Sequence, residues 1–258
     1  MATPNITAIL IIHGAYFLPS GWDSFIAALR RKHKDQDLSV ECPRLPSCGD
    51  SQPPTATLAD DVSAVRVAAE KLIGAGHRVA VLAHSYGGVV ASEAITPDLY
   101  VGAQPDHDRG IASLILLSAF LVQPGDSLPG ILGKYGFQSK MDLGDNGDGS
   151  VFTRNALDSF YNDLPRAKGE ELAEANVTHN STAAFGVVTG APWKVLPTVY
   201  VYLTADLAIY LPLQKSMVAD AVGAGGKIQV ETLDAGHCPF LSRPDEFLDI
   251  LLKVIGGV

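Results

Sequence analysis

The stretch that most constrains the fold is residues 79–91, Val-Ala-Val-Leu-Ala-His-Ser-Tyr-Gly-Gly-Val-Val-Ala. Its first four residues are a short apolar, β-branched run of the kind that makes a strand buried on both faces. From Gly87 onward, small and apolar residues can start a helix that packs back against that strand. Between them lies Ala83-His84-Ser85-Tyr86-Gly87, a variant of the G-x-S-x-G turn in which alanine replaces the first glycine. A serine on so tight a strand-to-helix turn has a strained backbone, and bulky neighbours would collide with the returning chain. Ala83 adds one methyl group there, while Gly87 and Gly88 leave room for close helix–strand approach. The turn also sets Ser85 at a helix N-terminus, where backbone N–H groups favour developing negative charge. A small-residue turn can also be only a packing device, so its chemistry depends on partners elsewhere in the chain.

The rest of the chain supplies a setting for that turn. Residues 6–12 form a continuous apolar run ending in His13-Gly14-Ala15, which reads as a buried parallel strand entering a loop. A helix is expected from Ser20, as N-cap, to about Arg30, followed by a short strand over 38–42 that Pro43 and Pro46 stop. Leu58, Val62, Val65, Ala69 and Leu72 are spaced three and four apart, giving an amphipathic helix over 58–73. Further strands are expected at 111–117, 198–203 and 227–232, with helices at 211–222 and 244–254. Alternation of this kind calls for a parallel sheet covered on both faces. Residues 1–121 and 194–258 form the α/β core, and residues 122–193 are an insertion, a cap over the sheet edge. Within the insertion, the Gly/Asp-rich piece 143–150 reads as a polar loop tip and 152–175 as helical. Asp145 and Asp148 do not match an EF-hand loop, which needs a closing Glu.

Composition narrows the class of partner. With 258 residues, the chain can bury a substantial core, and its 47% hydrophobic and 18% charged content suits a compact fold. A formal charge of −9 leaves no basic stripe for nucleic acid. Arg30 to Lys34 is a short basic cluster that reads as a solvated helix end. No apolar run approaches the ~20 residues of a membrane span, and residues 6–12 lack the basic lead-in of a signal peptide. Cys42, Cys48 and Cys238 are too sparse for a disulfide scaffold. A cytoplasmic protein, monomer or homodimer, with no nucleic-acid or membrane partner is expected.

A serine hydroxyl needs a base to act as a nucleophile near neutral pH. Histidine suits that role with an unperturbed pKa of ~6.5, and a carboxylate must fix its tautomer. Both partners fall on loops after later strands, in the order Ser, Asp, His. Asp206 follows the strand ending at Leu203, and His237 follows the strand ending near Thr232. The competing acid position, after residue 117, holds Ser118-Ala-Phe120 and offers no carboxylate. Asp126 comes too late in the chain for that strand end, and Asp234 lies too close in sequence to His237 to reach behind it. Ser85, Asp206 and His237 are therefore the candidate catalytic residues. His33, His77, His107 and His179 read as surface residues, and His13 and His84 as structural residues near the site. Acyl transfer also needs preorganised donors for the oxyanion, typically worth about 3–4 kcal/mol each. The N–H groups of Tyr86, the residue after the nucleophile, and of Ala15, in the loop after the first strand, are the candidates.

With these residues in place the chain resembles the α/β-hydrolase superfamily over nearly its whole length. More narrowly, it looks like the branch that includes plant methylesterases, hydroxynitrile lyases and small microbial and fungal hydrolases. The shared marks are Ile12-His-Gly-Ala15, Trp22, the A-H-S-Y-G-G turn, Ala119-Phe120 followed by Pro124-Gly-Asp-Ser127, Asp206 with Gln214, and Gly236-His237. The resemblance implies a mostly parallel sheet that starts at the conventional third strand, with a helical cap inserted after the sixth. The related lyases carry Thr at the position of Gly14 and Lys immediately after the histidine. Here Gly14 and Cys238 follow the esterase-like pattern.

Fold alone does not fix chemistry. The leading expectation is hydrolysis of a small or medium apolar carboxylic ester or lactone through an acyl-enzyme. A lyase, decarboxylase or cyclase acting on a natural-product intermediate, or a ligand receptor with a vestigial site, are the alternatives. Tyr16, His84, Phe120, Phe152, Phe160, Phe185 and Trp193 are candidates for the wall of a small-molecule pocket. No arginine cluster or metal-ligand set is evident, so no cofactor and no metal are expected. Cys238 reads as a packing residue rather than a reactive thiol.

Overall fold

The fold is described from a computed structural model covering residues 6–33, 38–49, 51–103, 108–136 and 140–256. Its centre is a six-stranded, all-parallel sheet. In chain order the core begins with β1 (Ala8–Ile12), a 3-10 turn (Pro19–Trp22), α1 (Asp23–Lys32) and β2 (Ser39–Glu41). It continues with α2 (Leu58–Gly74), β3 (Arg78–His84), α3 (Gly87–Ala94) and β4 (Gly110–Leu117). The insertion follows, with α4 (Leu128–Lys134), β5 (Leu143–Asp145), β6 (Ser150–Thr153), α5 (Ala156–Phe160), α6 (Arg166–Glu174), β7 (His179–Asn180) and α7 (Ser181–Ala184). The core then resumes with β8 (Thr198–Leu203), α8 (Leu211–Gly223), β9 (Ile228–Leu233), α9 (Pro239–Ser242) and α10 (Pro244–Ile255).

The main sheet has the order β2-β1-β3-β4-β8-β9. Every residue of β1 and β4 is buried, as expected of apolar strands covered on both faces. The chain moves outward from β1 to β2, then returns past β1 to β3 and keeps that direction. Because such crossovers are right-handed, α1 lies on one face and α2, α3 and α8 on the other. Side-chain packing agrees. Trp22 stacks on Phe240 of α9 at 3.8 Å, and Phe25 of α1 stacks on Phe247 of α10 at 5.0 Å, joining three helices. The reversal of direction between β1 and β3 is the switch point at which parallel α/β sheets place their ligands, beyond the strands' carboxyl ends.

Two local details, at α1 and in the segment after β4, depart from the sequence expectations. Ser20 lies inside the 3-10 turn, and α1 starts only at Asp23. Helix α2 is instead closed by a capping box, in which the Thr57 N–H donates to Asp60 Oδ2 at 2.8 Å. In the insertion, residues 143–153 form an antiparallel hairpin rather than a loop leading into a helix, and β7 adds a third strand. Its tip does hold the polar Gly/Asp residues: Asp145 accepts from the Gly147 N–H and Asp148 from the Ser150 N–H. Among the described residues no group of three His, Cys, Asp or Glu side chains is arranged to hold a metal. No helix among them is long and apolar enough to cross a membrane.

Candidate active site

Five neighbouring strands each deliver one part of the site at their carboxyl ends. The loop after β1 carries Ala15 and Tyr16, β3 runs into Ser85, and β4 into Ser118. Asp206 follows β8, and His237 follows β9. Among the described residues, only Tyr16 (φ 69°), Ser85 (φ 54°) and Ser118 (φ 38°) are non-glycine residues with positive φ. Such strain persists only where surrounding packing enforces it, and here it falls on three adjacent strand ends. Close packing enforces the turn at Ser85. A Cβ on Gly87 would stand 2.3 Å from the Ile12 carbonyl oxygen, and one on Gly88 would stand 2.4 Å from that of Phe120. Helix α3 is therefore pressed between the ends of β1 and β4, which glycine alone permits. The Phe120 N–H in turn donates to the Ser85 carbonyl at 3.0 Å.

Asp206 and His237, the expected acid and base, are joined directly. His237 Nδ1 lies 2.7 Å from Asp206 Oδ2, with both side chains fully buried. The carboxylate accepts, so Nδ1–H is the donor in this bond. Asp206 receives three further donors. Ser118 Oγ–H reaches Oδ2 at 2.5 Å, and the N–H groups of Ala208 and Ile209 reach Oδ1 at 2.7 and 2.9 Å. Four donors thus converge on one carboxylate. His237 Nε2 is buried and has no hydrogen-bond partner among the described residues. It lies beside the elbow, since the His84 ring is 4.5 Å from the His237 ring and His84 Nε2–H donates to the His237 carbonyl at 2.9 Å. Asp234 is exposed and accepts from Thr204 Oγ–H instead.

The surroundings are aromatic. Phe160 of α5 stacks on the His237 ring, with centroids 5.4 Å apart. Phe17 packs on Phe160 at 5.1 Å, and Tyr16 stacks on Phe160 at 6.0 Å. Ser85 is 8% exposed and His237 0%, so the site is enclosed. Of the remaining wall candidates, Phe120 is buried beside Ser85. Phe152 packs within the cap hairpin against Gly144 and Arg154. Phe185 is 64% exposed at the end of α7. Trp193 is buried, its indole N–H donating to the Val122 carbonyl. The structure brings none of these last three into contact with His237. Two surface depressions, one along α2 near Ser63 and Val67 and one beside β2, include none of the site residues.

Several residues here escaped the sequence reading. His179, expected at the surface, is 2% exposed and packs edge-on against the Tyr16 and Tyr86 rings. A cap strand two residues long, with no pattern of its own, brings it there. Asp61 is fully buried on α2 and accepts from the Ser47 N–H, Ser47 Oγ–H and Tyr86 Oη–H at 2.9, 2.6 and 2.9 Å. A signal for it existed: Asp61 sits three residues after Leu58 and four before Val65, on the helix's apolar stripe. Burial pushes the Asp61 carboxyl up and the imidazoles down, His13 to about 4 and His179 to about 3, and His84 well below its usual range. His13 is thus neutral, its Nδ1–H donating to the Gly14 carbonyl while Nε2 accepts from the Leu45 N–H. Burial also holds the Cys238 thiol well above its ordinary pKa, so it stays protonated.

A nucleophile-type elbow and a buried His–Asp pair on a parallel sheet define an α/β-hydrolase architecture. The chain belongs to the alpha/beta hydrolase family, whose sequence profile matches residues 9–250. It is 27% identical over 256 residues to "Probable hydrolase R7" of Phoma sp., covering 96% of this chain and 98% of that protein. To "Alpha/beta hydrolase nvfD" of Aspergillus novofumigatus it is 29% identical over 254 residues, covering 96% of each. Among solved structures it is similar to an extracellular alpha/beta-hydrolase from a Paenibacillus species, with TM-score 0.73 and 18% identity over 96% of this chain and 98% of that one. The methylesterase MES16 of Arabidopsis matches with TM-score 0.71 and 17% identity, over 98% and 100%. At these identities the structural likeness concerns the fold.

Proposed function

We propose that the protein is a serine hydrolase acting on a small or medium apolar carboxylic ester or lactone. The observation that carries this reading is the fully buried His237–Asp206 bond of 2.7 Å, set beside a strained Ser85. In the proposed cycle, His237 Nε2 takes the Ser85 proton as Oγ attacks the substrate carbonyl. The oxyanion is received by the Tyr86 and Ala15 N–H groups. His237 then returns the proton to the departing alkoxide, leaving an acyl-serine, and next activates the water that releases the acid. In a lactone the departing alkoxide remains tethered to the product. Asp206 holds the imidazole through Nδ1 and stabilises the imidazolium as it forms.

The aromatic surroundings of Phe17, Phe160 and Tyr16 support an uncharged substrate, as does the absence of a cationic side chain among the residues described around His237. The names of the relatives, hydrolases and a methylesterase among them, support the same reading. Three unpaired cysteines, two of them buried, support a cytoplasmic setting. The test is a panel of p-nitrophenyl esters from acetate to octanoate beside a set of lactones, comparing wild type with Ser85→Ala. Serine-dependent turnover of either set is expected. Silence across both panels in a folded protein would reject the hydrolase reading in favour of a non-hydrolytic step.

A further inference from the structure

The cap does more than cover the sheet. Phe160, the last residue of α5, and Asn162 and Asp163 just beyond it reach the loops that carry Asp206 and His237. Phe160 stacks on the His237 imidazole. Asn162 Nδ2–H donates at 3.0 Å to the carbonyl of Ala205, the residue before Asp206. Asp163 Oδ2 accepts at 2.7 Å from the N–H of Gly236, the residue before His237, and at 2.6 Å from Ser242 Oγ–H, at the end of α9. A Cβ on Gly236 would stand 2.6 Å from Asn162 Oδ1 and 2.6 Å from Asp163 Oδ1. The two catalytic loops are tied to each other as well, by the Ala205 N–H to the Ala235 carbonyl at 3.1 Å.

We infer that Asp163 is a positioning residue for His237, with Asn162 as its counterpart for Asp206. A loop of Ala235, Gly236 and His237 has little side-chain bulk to hold it in place. A charged acceptor on the Gly236 N–H fixes the peptide immediately before the base, and charge-assisted bonds of this kind are stronger than neutral ones. Segment 160–163 thus sets the imidazole from two directions, by its face through Phe160 and by its backbone through Asp163. Docking of this cap segment and alignment of the base become one event. Ser242 anchors the same carboxylate to α9 without touching the peptide before His237.

This inference rests on the assignment of His237 as base in the proposed function, and its test reads the alignment in three ways. Asp163→Ala, Asp163→Asn and Ser242→Ala are compared with wild type, Ser85→Ala and His237→Ala. The readouts are hydrolysis of p-nitrophenyl butyrate, the rate of Ser85 labelling by a fluorophosphonate, and the downfield proton signal of the His237 Nδ1–H bond to Asp206. Misalignment of a catalytic group costs between about tenfold and a hundredfold, so Asp163→Ala should lower kcat and the labelling rate by that much. KM should stay within about twofold, and the downfield proton should broaden or vanish, because the change acts on the base and not on binding. Asp163→Asn, which still offers an oxygen to the Gly236 N–H, should restore most of the rate, and Ser242→Ala should keep it. If Asp163→Ala does not fold, the exposed Asn162→Ala replaces it, with a smaller loss in the same pattern. A folded Asp163→Ala protein, or Asn162→Ala in its stead, with undiminished kcat, labelling and downfield proton overturns the inference. So does an equal loss in Ser242→Ala, which would indicate anchoring of α9 alone. Failure of the hydrolase reading looks different. The ester then goes unhydrolysed in wild type, while the proton signal still reports whether Asp163 holds the His237–Asp206 pair.

Discussion

At the scale of single residues, the decisive feature is how fully the Asp206 carboxylate is used. Both oxygens accept two donors, and one of the four is the imidazole that must stay in a single tautomer. Asp206→Asn keeps the shape but presents an N–H where His237 needs an acceptor. Turnover should then fall by about 10⁴-fold with the melting temperature little changed. Asp234→Asn, which alters only an exposed contact to Thr204, should leave the rate within about twofold, since a side chain outside the site contributes little to transition-state stabilisation. Steady-state kinetics on both variants checks the pair, and the reverse result would move the acid to Asp234. Asp206 and His237 were legible in the sequence because strand ends and chain order limit where such partners can lie. Ser118 was not. It was noticed only as a missing carboxylate, and its hydroxyl acquires a role only once β4 and β8 lie side by side.

At the scale of elements, the elbow depends on how closely α3 approaches two strand ends. Gly87→Ala would drive a methyl into the Ile12 carbonyl, so a loss of about 3 kcal/mol or more is expected, or no folded protein at all. Gly74, at the end of α2, has nothing within 4 Å of its added Cβ. Gly74→Ala should be neutral or stabilise by up to about 1 kcal/mol. Urea unfolding of the two variants measures the contrast, and equal stabilities would remove the steric account of the elbow. The core elements were readable because each carries a strong local pattern: unbroken apolar strands, and a three-and-four spacing on α2. The segment between β4 and β8 was less so. Its hairpin strands are only three and four residues long, and the pairings of β6 with β7 and of the Cys48 segment with β7 form over long sequence separations that periodicity cannot register.

At the scale of the whole molecule, the enclosed site concentrates buried imidazoles. His13, His84 and His179 have folded-state pKa values below the ~6.5 of an unfolded chain, because burial disfavours their charged forms. Below that pH the unfolded chain binds protons that the folded one does not, so stability falls as pH drops. For His13 the window runs from ~6.5 down to about 4, and each such group contributes up to about 1.4 kcal/mol per pH unit within its window. Asp61, raised by burial, acts in the opposite sense around and above pH ~4 and offsets part of the loss. The urea midpoint should therefore decline steadily from pH 7 to pH 4.5. A flat profile would contradict neutral burial of these histidines.

The central claim is that the fold presents one activated serine. The direct measurement is treatment of the folded protein with a fluorophosphonate, followed by intact mass and peptide mapping. A single adduct on Ser85, lost in Ser85→Ala and strongly slowed in His237→Ala, is the predicted result. An adduct on any other residue, or no adduct on folded protein, would contradict it.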